Sequence, residues 1–163
     1  MKTIIIYAST YGYAKDCANE LSKQLTGEVL IVNVSTDTIL SISGFDNVVI
    51  GGSIYMGHIS KKIKAFCISN LNLLKNKRVG LFLCCGLPED FEKNIENAFP
   101  KELLRKAISV ESFGGELRIE KMKFTHKILA GLIKKAAIKE RKAIAKQMPE
   151  NIAKMTAIIN QWE

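Results

Sequence analysis

Residues 8–15, which read ASTYGYAK, join the apolar run TIIIY at 3–7 to the helical-looking segment DCANELSKQL at 16–25. This pattern predicts a strand that leads directly into a helix. The free N–H groups and the dipole at the start of such a helix favour an anion. Ser9 and Thr10 add hydroxyl donors, and Gly12 permits a positive φ or the close approach of a ligand. The stretch therefore predicts a phosphate-binding loop, and a simple capped turn is the alternative.

Several other kinds of site are excluded by the sequence. The loop lacks both the Gly-Lys-Ser/Thr ending of a Walker loop and the dinucleotide pattern G-x-G-x-x-G, which implies a phosphate bound without a metal. Four cysteines without Cys-x-x-Cys spacing and only two histidines predict neither a disulfide scaffold nor a metal site. We expect the adjacent Cys84 and Cys85 to be buried apolar residues, because neighbouring cysteines form a disulfide only with strain.

Apolar runs rich in Ile and Val alternate with segments of helical period along the chain. This alternation is typical of a parallel sheet covered by helices on both faces. The predicted strands are residues 3–7, 29–34, 48–52, 79–85 and 107–113. Pro149 is expected to open the last helix, where its missing N–H has no cost. No linker-like segment divides the sequence, so we expect one domain spanning residues 1–163.

Two further loops are predicted at the carboxyl edge of the sheet, where open α/β sheets bind their ligands. The loop GSIYMGHIS, after the third strand, places Tyr55, Met56 and His58 around a glycine. These flat or polarisable side chains suit a planar ring. In the loop CCGLPEDF, after the fourth strand, Gly86 allows the main chain to approach the same ligand.

Basic residues are concentrated in one stretch of the chain. The formal net charge is +8, and residues 121–146 contain nine Lys or Arg against one Glu. This basic stretch suits anionic lipid, an acidic partner or an acidic substrate, with a solvated helix face as the alternative. Its apolar residues Ile128, Leu129, Leu132 and Ile133 are expected mainly to pack in the core. No nucleic-acid partner is expected, because aromatic and basic residues are not interleaved.

The sequence also carries information about location. The apolar run near the start is too short for a signal peptide, and no run reaches the roughly 18 apolar residues of a membrane span. We therefore expect a soluble protein of the cytoplasm. The basic stretch would also allow peripheral contact with the inner face of the membrane.

Together the three loops resemble those of flavodoxin-like proteins, which bind flavin mononucleotide (FMN). The resemblance rests on YASTYGYAK, VVIGGSIYMGHISKKIKAF and VGLFLCCG, and it covers nearly the whole chain. It implies a three-layer α/β sandwich whose five-stranded parallel sheet has the strand order 2-1-3-4-5. Within this superfamily, the middle stretch and the later GGELRIEKMKFTHKILAGLIKK are most similar to the quinone-dependent protoporphyrinogen dehydrogenases of haem biosynthesis.

The resemblance implies which residues contact FMN. Two hydroxyl residues and the backbone of residues 11–14 would hold the phosphate, and residues 53–58 and 85–87 would flank the ring. Many flavodoxins have threonine where Tyr11 and Ala14 stand, so two phosphate-binding hydroxyls are absent here. The predicted cofactor contacts are Ser9, Thr10, Tyr11, Gly12, Tyr13, Ala14, Ser53, Ile54, Tyr55, Met56, Gly57, His58, Cys85, Gly86 and Leu87.

The function that the resemblance implies is an FMN-dependent oxidoreductase in which the flavin carries the chemistry and no catalytic side chain is required. Electrons would pass from a reduced substrate such as a porphyrinogen to a quinone or another acceptor. Residues 121–146 would contact an anionic membrane. Electron-carrying flavodoxins are typically acidic, whereas this chain is basic. A basic electron shuttle for an acidic protein is the first alternative, and a flavin-free binding or regulatory module is the second.

Overall fold

A parallel sheet forms the centre of the protein, which a computed structural model describes over residues 1–39, 41–116, 118–139 and 146–161. The side chains of residues 119, 129, 133 and 137 also lie outside this description. The sheet has the order β2-β1-β3-β4-β5, and every neighbouring pair of strands is parallel. The prediction of a five-stranded sheet in this order is confirmed. Its strands are β1 (Lys2–Ala8), β2 (Glu28–Asn33), β3 (Asn47–Ser53), β4 (Arg78–Cys84) and β5 (Ser109–Ser112).

The central strands are apolar on both sides. Ile4, Ile5 and Ile6 of β1 are consecutive and all fully buried, as expected for a strand that helices cover on both faces. The register pairs Ala8 of β1 with Gly52 of β3. It also pairs Ser53 with Cys84 of β4, so the carboxyl ends of these three strands meet at one edge of the sheet.

Helices connect the strands. The α-helices of the described residues are α1 (Tyr13–Gln24), α2 (Lys61–Ser69), α3 (Leu71–Leu74), α4 (Phe91–Ala98), α5 (Lys101–Lys106), α6 (Phe124–Lys139) and α7 (Pro149–Asn160). Pro149 opens α7, as the sequence predicted. The short helices α3 and α5 were not predicted, because one turn or two contain too few positions to show a period. The N–H of Ala107 donates to the carbonyl of Leu103 and ends α5, so β5 begins later than the predicted residue 107.

Two apolar layers flank the sheet. On one face, Ile4 and Ile6 of β1 pack in a cluster with buried residues of α2, α3, α4 and α5. On the other face, Ile5 and Tyr7 pack in a cluster with buried residues of α1 and α7. The alternation along β1 follows from the two-residue period of a strand. The sheet therefore lies between two apolar cores, and the loops that follow the strands lie at its carboxyl edge.

Helix α6 departs from the expectation based on sequence. Ile128 and Leu132 are 52% and 59% exposed, so the prediction that they pack in the core is wrong. Leu129 and Ile133, which were included in that prediction, have side chains outside the described residues. Ala130 is buried, so α6 has one covered side and one open side. Over the described residues, none of the helices combines the length and the apolar character needed to cross a membrane.

Candidate cofactor site

Three loops meet at the carboxyl edge of the sheet and enclose a cavity of about 520 Å³. The loops follow β1, β3 and β4, and the cavity has the size expected for a cofactor or a small molecule. An open basin of about 610 Å³ adjoins it at the loop after β1. Thr10 and Tyr11 line both spaces, so the two are continuous along the start of α1.

Most of the predicted contact residues line one or both of these spaces. Ser9 and Ala14 line neither of them. The contact of the others with a cofactor stays a prediction, but the structure brings loops that are far apart in sequence to one place. The predicted residues that line the two spaces are Thr10, Tyr11, Gly12, Tyr13, Ser53, Ile54, Tyr55, Met56, Gly57, His58, Cys85, Gly86 and Leu87.

The loop after β1 turns sharply into α1. The N–H of Gly12 donates to Ser9 Oγ at 3.0 Å, so this hydroxyl shapes the turn. Gly12 is the N-cap of α1 and has a φ of 94°, a left-handed conformation that glycine adopts without strain. Because glycine has no side chain to cap the helix, the N–H groups of the first turn are left to bind an external acceptor. This arrangement suits a phosphate group.

The side chains of Tyr13 and Ala14 are buried and pack α1 against the sheet. The hydroxyl of Tyr13 donates to the carbonyl oxygen of Phe113 at 2.7 Å, and the ring is buried against the sheet. Burial, together with the neighbouring Cys17, raises the pKa of Tyr13 well above its ordinary value. Ala14 is fully buried. Both residues therefore offer backbone N–H groups to a phosphate, whereas their side chains hold α1 on the sheet.

The loop after β3 is a tight hairpin turn. The backbone groups of Tyr55 and His58 exchange two hydrogen bonds of 2.9 and 3.0 Å. The central residues Met56 and Gly57 have φ values of 50° and 76°, which is the type I′ pattern. Met56 is 63% exposed and lines the cavity with its neighbours. The turn thus presents an aromatic and a thioether side chain from a fixed backbone.

Two hydrogen bonds of the Cys85 thiol support the loop after β4. Cys85 Sγ donates to the carbonyl oxygen of Leu87 at 3.2 Å and accepts from Asn94 Nδ2 at 3.2 Å. Cys84 and Cys85 are both buried free thiols, as the sequence predicted. Gly86 is exposed, and an added Cβ would meet nothing within 4 Å. The main chain at Gly86 is therefore free to approach a flat ligand.

The family model of the flavodoxin domain matches residues 4–143. The chain belongs to the flavodoxin domain family. The prediction of FMN as the cofactor is supported by this membership. No curated protein sequence is significantly similar to the chain.

Solved flavodoxin structures have the same fold. The solution structure of two-electron reduced Megasphaera elsdenii flavodoxin has a TM-score of 0.57 at 15% identity, covering 98% of this chain and 99% of that one. A flavodoxin from Streptococcus pneumonia TIGR4 has a TM-score of 0.56 at 12% identity, covering 98% and 95% of the two chains. At these identities the likeness establishes the flavodoxin fold.

The site of this flavodoxin-family protein has the donors that FMN requires. The uncapped start of α1 suits the phosphate, and the loops after β3 and β4 form two sides of a slot lined by flat, polarisable and backbone groups. Arg118, which is largely buried, pairs with Asp16 at 2.7 Å and with Glu116 at 2.6 Å. Because two carboxylates face this guanidinium, main-chain amides are expected to be the principal anchors for the phosphate.

Sequence reasoning missed the residues that come from the later part of the chain. One side of α6 and the segment just before it form a wall of the site, because the cavity is lined at intervals of four residues by Met122, His126, Ala130 and Lys134. His126 hydrogen-bonds through Nδ1 to the hydroxyl of Tyr11, and its ring lies 4.7 Å from that of Tyr55. The four-residue spacing is visible in the sequence, but it does not reveal which element the helix covers.

Proposed function

We propose that the protein is an FMN-dependent oxidoreductase of the protoporphyrinogen dehydrogenase type, which passes electrons from a reduced substrate such as a porphyrinogen to a quinone or another acceptor. The proposal rests on the family, on the sequence resemblance and on the charge of the site. Bound FMN would supply the redox chemistry. The chain itself would orient the ring, exclude water from one of its faces and attract the substrate.

The observation that carries the proposal is the pair of lysines at the cavity. Lys93 of α4 and Lys134 of α6 line the cavity, and both are exposed. Lys15, Lys121 and Lys123 line the adjoining basin. Arg118 also lines the basin, and the acidic residues of the two spaces are Asp16, Asp90 and Glu116, so six Lys or Arg face three carboxylates. This net positive lining attracts a tetrapyrrole with carboxylate side chains, because the field is focused around a partly enclosed cavity.

The test measures porphyrin formation. Under anaerobic conditions, the FMN-loaded protein is mixed with a porphyrinogen and a water-soluble quinone, and porphyrin fluorescence is followed. Turnover that requires both FMN and the quinone is expected. Lys93→Glu with Lys134→Glu is expected to raise KM about tenfold or more, whereas Lys61→Glu with Lys101→Glu, two exposed lysines away from the cavity, leaves KM unchanged. Absence of turnover by the FMN-loaded protein would overturn the proposal.

The concentration of charge favours a second candidate, a basic electron shuttle. The net charge of +8 is opposite to that expected of a flavodoxin that docks on basic partners, and it fits an acidic ferredoxin-type donor. Salt-sensitive reduction of the FMN-loaded protein by such a donor, without porphyrin formation, would select the shuttle over the enzyme.

A further inference from the structure

Asn94 of α4 is a buried polar residue in the wall of the cofactor cavity. It is 5% exposed and lines the cavity. Its Nδ2 donates to Cys85 Sγ, in the loop after β4, at 3.2 Å. Its Oδ1 lies 4.0 Å from the point that a Cβ on Gly57, in the turn after β3, would occupy. The amide of Asn94 therefore lies between the two loops that are expected to flank the flavin ring.

The hydrogen bonds of Cys85 determine which way this amide points. The thiol hydrogen of Cys85 is donated to the carbonyl oxygen of Leu87 at 3.2 Å, so the sulfur can only accept from Asn94. The group of Asn94 that faces the sulfur must therefore be the NH2 group, which is a donor. It follows that the carbonyl oxygen Oδ1 points the other way, towards Gly57 and the cavity.

Oδ1 of Asn94 is an acceptor without a donor. None of the described residues donates a hydrogen bond to it, whereas every side-chain nitrogen or oxygen of these residues that is closed to solvent has a partner. Oδ1 is therefore open to the cavity, although the residue as a whole is buried. Because buried polar groups are normally hydrogen-bonded, this oxygen indicates a ligand that supplies an N–H or O–H group.

The N–H groups of a flavin ring change with its redox state. The oxidised ring carries one N–H, at its pyrimidine end, and the uptake of two electrons and a proton adds a second at the ring centre. A ring between the loops after β3 and β4 would remove Oδ1 of Asn94 from water. An oxidised ring offers this oxygen no donor at its centre, whereas a reduced ring offers one. The oxygen can therefore discriminate between the two states.

We propose that Asn94 sets the preference of the site for the reduced cofactor. Oδ1 accepts a hydrogen bond from the ring-centre N–H that reduction creates, and Cys85 keeps the amide turned so that Oδ1 faces the ring. Such a bond raises the midpoint potential of bound FMN, because hydrogen bonds to the ring nitrogens tune a flavin. The inference rests on FMN as the cofactor and not on the substrate, so absence of porphyrin formation would leave it standing.

Removal of the amide tests the proposal. Asn94→Leu keeps the approximate size of the side chain, and Asn94→Ala, which adds no apolar bulk, is measured in parallel. Dissociation constants are measured under anaerobic conditions for oxidised FMN and for dithionite-reduced FMN. We expect both variants to weaken the binding of reduced FMN about five- to tenfold more than the binding of oxidised FMN. Weakening of both states by the same factor would overturn the proposal.

The midpoint potential of the FMN-loaded protein, measured against a reference dye, gives an independent readout. A tenfold change in an equilibrium constant is about 30 mV for a two-electron couple, so Asn94→Leu is expected to lower the potential by about 20–30 mV. Ile95→Val is the control, because Ile95 is the next buried residue of α4 and does not line the cavity. A fall of the same size in Ile95→Val would show that the packing of α4 sets the potential, and it would overturn the proposal.

A cofactor analogue tests the ring nitrogen without any substitution. In 5-deaza-FMN a carbon replaces the nitrogen at the ring centre, so its reduced ring has no N–H group there. For the unmodified protein, we expect the preference for the reduced over the oxidised form to be about five- to tenfold smaller with 5-deaza-FMN than with FMN. Asn94→Leu is expected to leave the preference for reduced 5-deaza-FMN unchanged. Equal preferences for the two cofactors in the unmodified protein would overturn the proposal, as would a lower preference with 5-deaza-FMN in Asn94→Leu.

Discussion

The hydroxyl of Tyr11 and Nδ1 of His126 form a hydrogen bond between two residues that lie 115 positions apart in the sequence. Tyr11 belongs to the loop after β1, and His126 belongs to the first turns of α6. The same imidazole also contacts the ring of Tyr55 in the loop after β3. One side chain of α6 therefore connects the loop expected to hold the phosphate with the loop expected to flank the flavin ring.

This connection predicts that His126 prearranges the FMN site. His126→Ala removes a hydrogen bond and two ring contacts, and we expect it to weaken FMN binding about five- to tenfold, or about 1 to 1.4 kcal/mol. Tyr11→Phe removes only the hydrogen bond and is expected to have the smaller effect. FMN affinity is measured by quenching of flavin fluorescence. Lys127→Ala, at the next position and exposed, is the control. Equal affinities for His126→Ala and Lys127→Ala would contradict the prediction.

Gly12 is predicted to be required for the shape of the phosphate loop. Its φ of 94° is strained for any residue with a Cβ, and an added Cβ would lie 3.1 Å from Nη1 of Arg118. Arg118 cannot move freely, because Asp16 and Glu116 both bind it. Gly12→Ala is therefore expected to lower the free energy of unfolding by about 1–2 kcal/mol and FMN affinity by about tenfold.

Gly44→Ala is the matched control for Gly12→Ala, because a Cβ at Gly44 meets nothing within 4 Å and the residue has no positive φ. Urea unfolding and flavin titration are measured on both variants. Full FMN affinity in Gly12→Ala would show that the loop tolerates a side chain, and it would remove the main argument for a main-chain phosphate cradle.

The sequence is sufficient to predict the sheet and its loops because both are local. The Ile-rich β1 needs only a run of apolar residues, and the turn at Gly12 needs only a glycine between a strand and a helix. The position of His126 depends instead on how α6 lies across loops that come much earlier in the chain. A period of four residues defines the faces of α6, but it does not say which face is covered. For this reason Ile128 and Leu132 were predicted in the core although they are exposed.

The backbone of Met56 is predicted to be strained, and its thioether side chain is predicted to contribute to FMN binding. It has a φ of 50°, a left-handed conformation that costs a residue with a side chain of this kind about 1–2 kcal/mol. Asparagine adopts this conformation more readily. Met56→Asn is therefore expected to raise the free energy of unfolding by about 0.5–1 kcal/mol. It is also expected to weaken FMN binding several-fold, because the polarisable thioether at the cavity is lost.

Met56→Leu is the control for Met56→Asn, since it keeps the strain and the apolar bulk, and it is expected to match the unmodified protein in stability. Urea unfolding of the FMN-free protein gives the stability, and flavin titration gives the affinity. A less stable Met56→Asn would show that the turn favours methionine for reasons other than cofactor binding.

Cys67 of α2 is predicted to lower the free energy of unfolding as the pH rises above about 9. Burial raises the pKa of its thiol from about 9 to about 12, because the thiolate is poorly solvated in the core. The unfolded chain loses this proton near pH 9, whereas the folded chain keeps it. The stabilisation is therefore fully present below pH 9 and is lost as the pH rises towards 12. At pH 10.5 the loss from this thiol is about 1.5 × 1.36, or about 2 kcal/mol.

The test compares how stability depends on pH in matched variants. Cys67→Ala removes the thiol, so its free energy of unfolding is expected to fall between pH 8 and 10.5 by about 2 kcal/mol less than that of the unmodified protein. Ile63→Val changes another fully buried residue of α2 that does not titrate, and it is expected to lower stability by about 1 kcal/mol at every pH. Other buried groups, such as Cys84 and Tyr13, contribute equally to all three proteins and cancel in the comparison. If Cys67→Ala and Ile63→Val show the same dependence on pH, the thiol of Cys67 ionises in the folded protein about as easily as it does in the unfolded chain.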